Sequence, residues 1–267
     1  MTIAGNDPTG GAGISADIRV GNSLGLHVMP IITCVTAQNS RGLNSYGILP
    51  PEVLRLQLES VREEVVPDAV KIGLIANSEN LKIISDFLEG LPGSVPVVVD
   101  PILAITAGEN SGKDENIPQI IRAYAEFIFP KATVVTPNLE ELKLFEQTIR
   151  ERNLKALIET TPIVIKGGHS CKDIIEDKLI EKEKTTSRSH PKIDSINLHG
   201  TGCVFSSFLA SYMALGFTLE ESFIQTSDRL HEIIISSQNY RLGSSTYGPL
   251  NIEKGYIFNI QQENNKD

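Results

Sequence analysis

Thr2-Ile3-Ala4-Gly5-Asn6-Asp7-Pro8-Thr9-Gly10-Gly11-Ala12-Gly13-Ile14-Ser15-Ala16-Asp17 opens the chain with an apolar run, a glycine-rich turn and the start of a helix. Thr2–Ala4 is short and apolar, as a strand covered on both faces must be, and the glycines let the backbone turn sharply from strand to helix. The same rhythm continues along the chain. Apolar runs at His27–Val35, Ala69–Ile75, Val95–Val99, Thr133–Thr136 and Pro162–Lys166 are each separated from the next by a segment of helical periodicity. Val95-Pro96-Val97-Val98-Val99 has no polar alternation, which fits a parallel strand buried on both faces. The expected fold is α/β: an αβα sandwich around a mostly parallel, doubly wound central sheet.

Helix signals support this order. Pro50-Pro51-Glu52 opens Val53–Val65, Asn77 or Ser78 caps Glu79–Leu88, and Thr218-Leu219-Glu220-Glu221 forms a capping box before Ser222–Ser236. Asp173–Lys182 alternates like an antiparallel strand, Glu183–Ser195 is polar enough for a turn or mobile loop, and Gln261–Asp267 reads as a frayed tail. No composition break divides the chain, so one domain over residues 1–267 is expected.

The 267 residues carry 24 Lys and Arg against 33 Asp and Glu, a net charge of -9, with 40% hydrophobic residues. This balance belongs to a folded globular chain, and its sign argues against general binding of nucleic acid or anionic membranes. No apolar run reaches the roughly 18 residues of a membrane span, and the first residues lack the basic and apolar regions of a signal peptide. Three cysteines, Cys34, Cys171 and Cys203, are too few and odd in number for a disulfide framework, so the cytoplasm is the expected compartment.

Five segments carry candidate chemistry. Gly10–Ala16 superficially satisfies the dinucleotide-binding pattern, yet no acidic residue closes the second strand, which runs into Thr36-Ala37-Gln38-Asn39; a simple tight turn and a small polar ligand against the backbone both remain open. Leu198-His199-Gly200-Thr201-Gly202-Cys203, followed by an apolar helical run, places free N–H groups and a helix N-terminus at one point, suited to a phosphate or oxyanion. Cys203 in that first turn reads either as a thiol of lowered pKa, able to act as base or nucleophile, or as a small core residue. Thr136-Pro137-Asn138-Leu139-Glu140-Glu141 puts Asn138 and Glu141 on one side of a first turn, either as oxygen ligands for Mg²⁺ or as an N-cap with its acidic partner. Asp100 and Lys166-Gly167-Gly168-His169 close two further strands. Together these strand ends describe a nucleotide phosphotransfer site.

Over almost its full length the chain resembles the hydroxymethylpyrimidine and phosphomethylpyrimidine kinases within the ribokinase-like superfamily. The resemblance is carried by Ala4–Asp17, Thr36-Ala37-Gln38-Asn39, Val70-Lys71-Ile72-Gly73, Asp100-Pro101, Thr136–Glu141, Lys166–His169 and His199–Cys203. It implies ATP- and Mg²⁺-dependent phosphorylation of 4-amino-5-hydroxymethyl-2-methylpyrimidine or its monophosphate for thiamin biosynthesis, in a cytoplasmic homodimer. Residue by residue, it implies that Cys203 is the general base, that Gly200, Thr201 and Gly202 form an anion hole, and that Lys166 neutralises the ATP phosphates. Asn138, Glu141 and Asp100 match the magnesium and phosphate rim, while Gln38 and Asp17 would read the pyrimidine beside the Gly5 backbone. Leu74 stands where a methionine lining the pyrimidine is frequent, Asn6 where Ser or Thr is usual, and Thr106 where many members carry Lys. A pyridoxal kinase of the same fold is the alternative activity, and a non-catalytic pyrimidine-binding homologue the alternative class.

Overall fold

The computed structural model describes residues 1–39, 42–103, 116–149, 159–167, 173–238, 240 and 249–252. Thr106, Gly168, His169, Cys171 and the tail Gln261–Asp267 lie outside them.

Nine strands form one sheet: β1 (Thr2–Asn6), β2 (Pro30–Asn39), β3 (Gly42–Ile48), β4 (Val70–Ile72), β5 (Val97–Val99), β6 (Val134–Val135), β7 (Ile163–Ile165), β8 (Ile174–Ile180) and β9 (Thr185–Pro191), in the order β3-β2-β1-β4-β5-β6-β7-β8-β9. The six strands from β2 to β7 in that order are parallel; β3, β8 and β9 join by antiparallel pairing. Among the described residues the α-helices are α1 (Gly13–Ser23), α2 (Pro51–Glu64), α3 (Ser78–Glu89), α4 (Ile117–Ala123), α5 (Leu139–Thr148), α6 (Thr201–Ala214) and α7 (Leu219–Ser237).

The valines of β5 show why the strands are uniformly apolar. Val97 and Val99 belong to the core under α3 and α4, with Leu81, Ile84, Phe87 and Ile121, whereas Val98 faces the opposite core with Phe205, Leu209 and Phe223 of α6 and α7. Successive side chains point to opposite faces and both are covered, so every position must be apolar. Each fully buried Val, Leu or Phe contributes about 1.5–3 kcal/mol of transfer free energy. Lys71 is the exception in this core: Val70 and Ile72 face the α3 side, so Lys71 projects into the α1 and α6 layer.

The expected sandwich, the Asn77 cap and the Thr218–Glu221 capping box are present. Two segments differ from expectation. The second strand runs to Asn39, so Gln38 lies on it, and it folds back into β3, a Gly- and Asn-containing strand without hydrophobic alternation. The polar stretch expected as a loop contains β9, which pairs throughout with β8; Arg188 on it and Lys184 in the turn before it tie this edge to Asp228 and Glu220 of α7, each at 2.6 Å. Backbone pairing holds this edge strand, and such pairing leaves no apolar signature.

Candidate active site

Parallel strands end on one rim, and ligands of open α/β sheets bind there. β5 delivers Asp100 to it, β6 Thr136, β7 Lys166, and β1 Asp7. Asp100 is 1% exposed, and its Oδ1 accepts hydrogen bonds from Lys166 Nζ at 3.0 Å and Thr136 Oγ1 at 3.2 Å, while Oδ2 accepts from Ser206 Oγ at 3.1 Å. Burial alone would lower the Lys166 ammonium, but Asp100 and Glu141 hold its pKa above the ordinary value. Burial and the nearby Asp100 charge push the Glu141 carboxyl up to about 7, against the pull of Lys166.

Asn138 and Glu141 form the capping box of α5: Asn138 Oδ1 accepts from the Glu141 N–H and Glu141 Oε2 from the Asn138 N–H, both at 2.8 Å. The Asn138 amide oxygen is thereby engaged with the helix end, while the buried Glu141 adds its charge to the Asp100–Lys166 pair. Among the described residues no group of three or more His, Cys, Asp and Glu side chains could enclose a metal ion. Two buried carboxylates, Asp100 and Glu141, nonetheless suit Mg²⁺, which takes one or two carboxylates and completes its shell with water and phosphate oxygens.

The segment His199–Cys203 connects all parts of the rim. Gly200 has φ of 80°, and a Cβ there would run into the Gly11 carbonyl oxygen, so two glycine turns from opposite ends of the chain are in contact. A Cβ on Gly202 would lie 3.3 Å from Lys166 Nζ and 3.8 Å from Asp100 Oδ2, so the bare backbone keeps the approach to the ammonium open. Cys203, in the first turn of α6, is 6% exposed, and its sulfur receives a hydrogen bond from the Gly13 N–H.

The expectation of a lowered thiol pKa is corrected. Burial pushes Cys203 up to about 11, with Lys71 and the Gly13 hydrogen bond opposing and the Asp100 and Asp17 charges adding to the rise. Desolvation outweighs the helix N-terminus because the sulfur lies inside the fold.

Asp17 is also placed differently from expectation. It is 3% exposed, and its carboxylate accepts hydrogen bonds from Thr2 Oγ1 at 2.5 Å, Lys71 Nζ at 2.9 and 3.0 Å, and Ser207 Oγ at 2.6 Å. Ser207 lies one helical turn after Cys203, so the Lys71–Asp17 pair sits directly behind the thiol. Lys71 was readable as an anomaly, since a lysine in a buried Val-Lys-Ile strand needs a carboxylate; its partner was not readable.

Gly5, Leu74 and Gln38 stand on the β1–β2 side. A Cβ on Gly5 would meet Cys34 Sγ at 2.6 Å and Leu74 Cδ2 at 3.2 Å, so Gly5 and Leu74 are neighbours. The Gln38 amide meets the His199 ring, which also contacts Asp7; in the sequence Asp7 stands out only as an acidic flank of the glycine-rich turn, fitting a small polar ligand there, and the His199 side chain not at all.

Sheet topology and rim chemistry place the protein among the ribokinase-like kinases of small molecules. Comparison narrows the class: the family model described as Phosphomethylpyrimidine kinase matches residues 7–251, and the chain belongs to that family. It is 32% identical over 260 residues to the hydroxymethylpyrimidine/phosphomethylpyrimidine kinase of Bacillus subtilis, covering 94% of this chain and 93% of that one. The fold is similar to phosphomethylpyrimidine kinase from Clostridium difficile (TM-score 0.68, 27% identity, covering 86% of this chain and 98% of that one). It is also similar to the pyridoxal kinase of Staphylococcus aureus in complex with AMP-PCP and pyridoxal (TM-score 0.78, 25% identity, covering 94% and 92%).

Proposed function

We propose that the protein transfers the terminal phosphoryl group of ATP to 4-amino-5-hydroxymethyl-2-methylpyrimidine, to its monophosphate, or to both, in thiamin biosynthesis. The observation that carries this reading is the single turn His199–Cys203, which touches Gln38 at one end and the Lys166–Asp100 pair at the other. An acceptor alcohol and a polyphosphate bound on either side of it would meet at Cys203.

In this reading Gln38, Gly5 and Leu74 hold the ring. Cys203, as thiolate, takes the proton of the substrate hydroxyl while its oxygen bonds to the γ-phosphorus and the bridging bond to ADP breaks. The N–H groups of Gly200–Gly202 and the Lys166 ammonium stabilise the charge on the transferring group. Asp100 and Glu141 would hold Mg²⁺ with the nucleotide, and Mg²⁺ there would neutralise phosphate charge. Asn138 positions Glu141 through the capping box. Asp17 acts behind the site on Lys71 rather than on the ring.

The finer biological setting belongs to the same proposal. Val35, Tyr46 and Ile48 expose apolar surface on the β2–β3 hairpin, whose outer strand is a sheet edge, and this supports a homodimer formed through it. No helix among the described residues is long and apolar enough to cross a membrane. A cytoplasmic location is part of the proposal.

A coupled ADP-release assay with the pyrimidine, its monophosphate and pyridoxal as parallel acceptors tests the function. Turnover is expected with one or both pyrimidines, dependent on added Mg²⁺. Turnover with pyridoxal alone would assign the alternative kinase activity, and none with any acceptor would overturn the catalytic reading.

A further inference from the structure

Asp7, His199 and Gln38 form a connected row across the cleft. Asp7 is 3% exposed, and its carboxylate accepts hydrogen bonds from the Thr9 N–H and hydroxyl, both at 2.8 Å, and from the Ala12 N–H at 3.0 Å. The Thr9 groups meet Oδ1, whereas Oδ2, which accepts from Ala12, also lies 3.0 Å from His199 Nε2, and the same ring nitrogen is 3.2 Å from the terminal amide of Gln38. Burial alone would raise the Asp7 carboxyl, but the His199 and Thr9 hydrogen bonds hold it below its ordinary value, so it is an anion and only accepts.

A proton count then fixes the row. Facing an anion, Nε2 must carry hydrogen, whether the ring is neutral or charged, and it has no lone pair left for a second donor. An amide N–H₂ at 3.2 Å would set donor against donor. A half-turn of the carboxamide, which exchanges two groups of nearly equal shape, brings its oxygen to the ring, where the single Nε2 hydrogen is shared between that oxygen and the Asp7 carboxylate and no donor faces a donor. The ring is held in place for this task. A Cβ on Gly11 would lie 2.6 Å from His199 Cδ2, and the His199 backbone bridges to Pro249.

We infer that His199, oriented by Asp7, is a positioning residue that fixes the Gln38 carboxamide in one sense, oxygen toward the ring and N–H₂ toward the substrate's acceptor nitrogen. This rests on the reading of Gln38 as the pyrimidine contact. The Gln38 oxygen keeps a second lone pair for the exocyclic amine, so the pair of groups it accepts has a defined order. A heterocycle that presents a C–H where the pyrimidine has its ring nitrogen strands the Gln38 N–H₂. Because His199 adjoins Gly200, the group that orders recognition is continuous with the phosphate-binding turn.

Two measurements test this. In protein labelled with ¹⁵N-histidine, the His199 signal, assigned by its loss in His199→Phe, is expected to show a protonated Nε2; an unprotonated Nε2 would overturn the inference whatever the kinetics. The second is the ratio of kcat/KM for the pyrimidine over its analogue with C–H in place of the ring nitrogen beside the amine. It is expected to be about tenfold or more in the wild type and to fall to within about threefold in His199→Phe, through the pyrimidine KM and with the KM for ATP little changed. Discrimination kept in His199→Phe would overturn the positioning role alone. No discrimination in the wild type, together with an unaffected Gln38→Leu, would bring down the reading of Gln38 and this inference with it.

Discussion

The backbone N–H of Gly13 hydrogen-bonds the sulfur of Cys203, joining the turn that leaves the first strand to the turn that opens α6. Gly13 has φ of 54°, and a Cβ there would collide with the Gly5 carbonyl, so this donor is delivered by a backbone shape that favours glycine. The contact offsets only part of the burial that raises the thiol.

The pH dependence of turnover follows from that balance. With the Cys203 pKa pushed up to about 11, the thiolate is scarce at neutral pH and increases as pH rises. We expect kcat/KM for the pyrimidine to climb through pH 7–9 without a plateau, Cys203→Asp to move the limb to lower pH, and Cys203→Ala to lose roughly 10²–10⁴ in kcat. A wild-type plateau below pH 8, or full activity in the alanine variant, would remove Cys203 as the base.

Lys71 and Asp17 are expected to depend on each other for stability. Both are 2–3% exposed, and Lys71→Met would leave the carboxylate buried without its counter-charge, at a cost of about 3–5 kcal/mol. The double variant Asp17→Asn, Lys71→Met should recover more than half of that loss in urea unfolding. Additive losses would show that the pair is not coupled.

Glu141 should make the free protein less stable as pH rises. Its carboxyl stands at about 7 in the folded protein against an ordinary 4.5, so the native state holds a proton that the unfolded state has released across that interval. Stability is therefore complete below pH 4.5 and falls until pH 7, by roughly 2–3 kcal/mol. Glu141→Gln, which can keep the capping box, should flatten the difference in Tm between pH 5 and 7.5. An equal slope in both proteins would place the charge conflict elsewhere.

Gln38→Leu should weaken kcat/KM for the pyrimidine by about 1–3 kcal/mol while the KM for ATP changes little, because substrate groups lose their partners and the Lys166 end of the site is untouched. Steady-state kinetics with each substrate varied separately checks this. Equal losses for both substrates, or none, would mean that Gln38 does not read the ring.

The sequence alone determined the βαβ order, the two-sided burial of Val97–Val99, the caps at Asn77 and Thr218, and the presence of Asp100, Glu141, Lys166 and Cys203 at strand or helix ends. These follow from local rules: a period of two or 3.6, a cap next to its helix, a glycine where the backbone must turn. The polar strands β3 and β9 left no such mark, because edge pairing uses backbone groups that every residue has. Only the tertiary structure decided that Asp17 turns inward to Lys71, that Cys203 is raised rather than lowered, and that Asp7, His199 and Gln38 stand in one row. Each depends on the distance and desolvation of groups far apart in the chain, which the parallel sheet sets by bringing its strand ends to one rim.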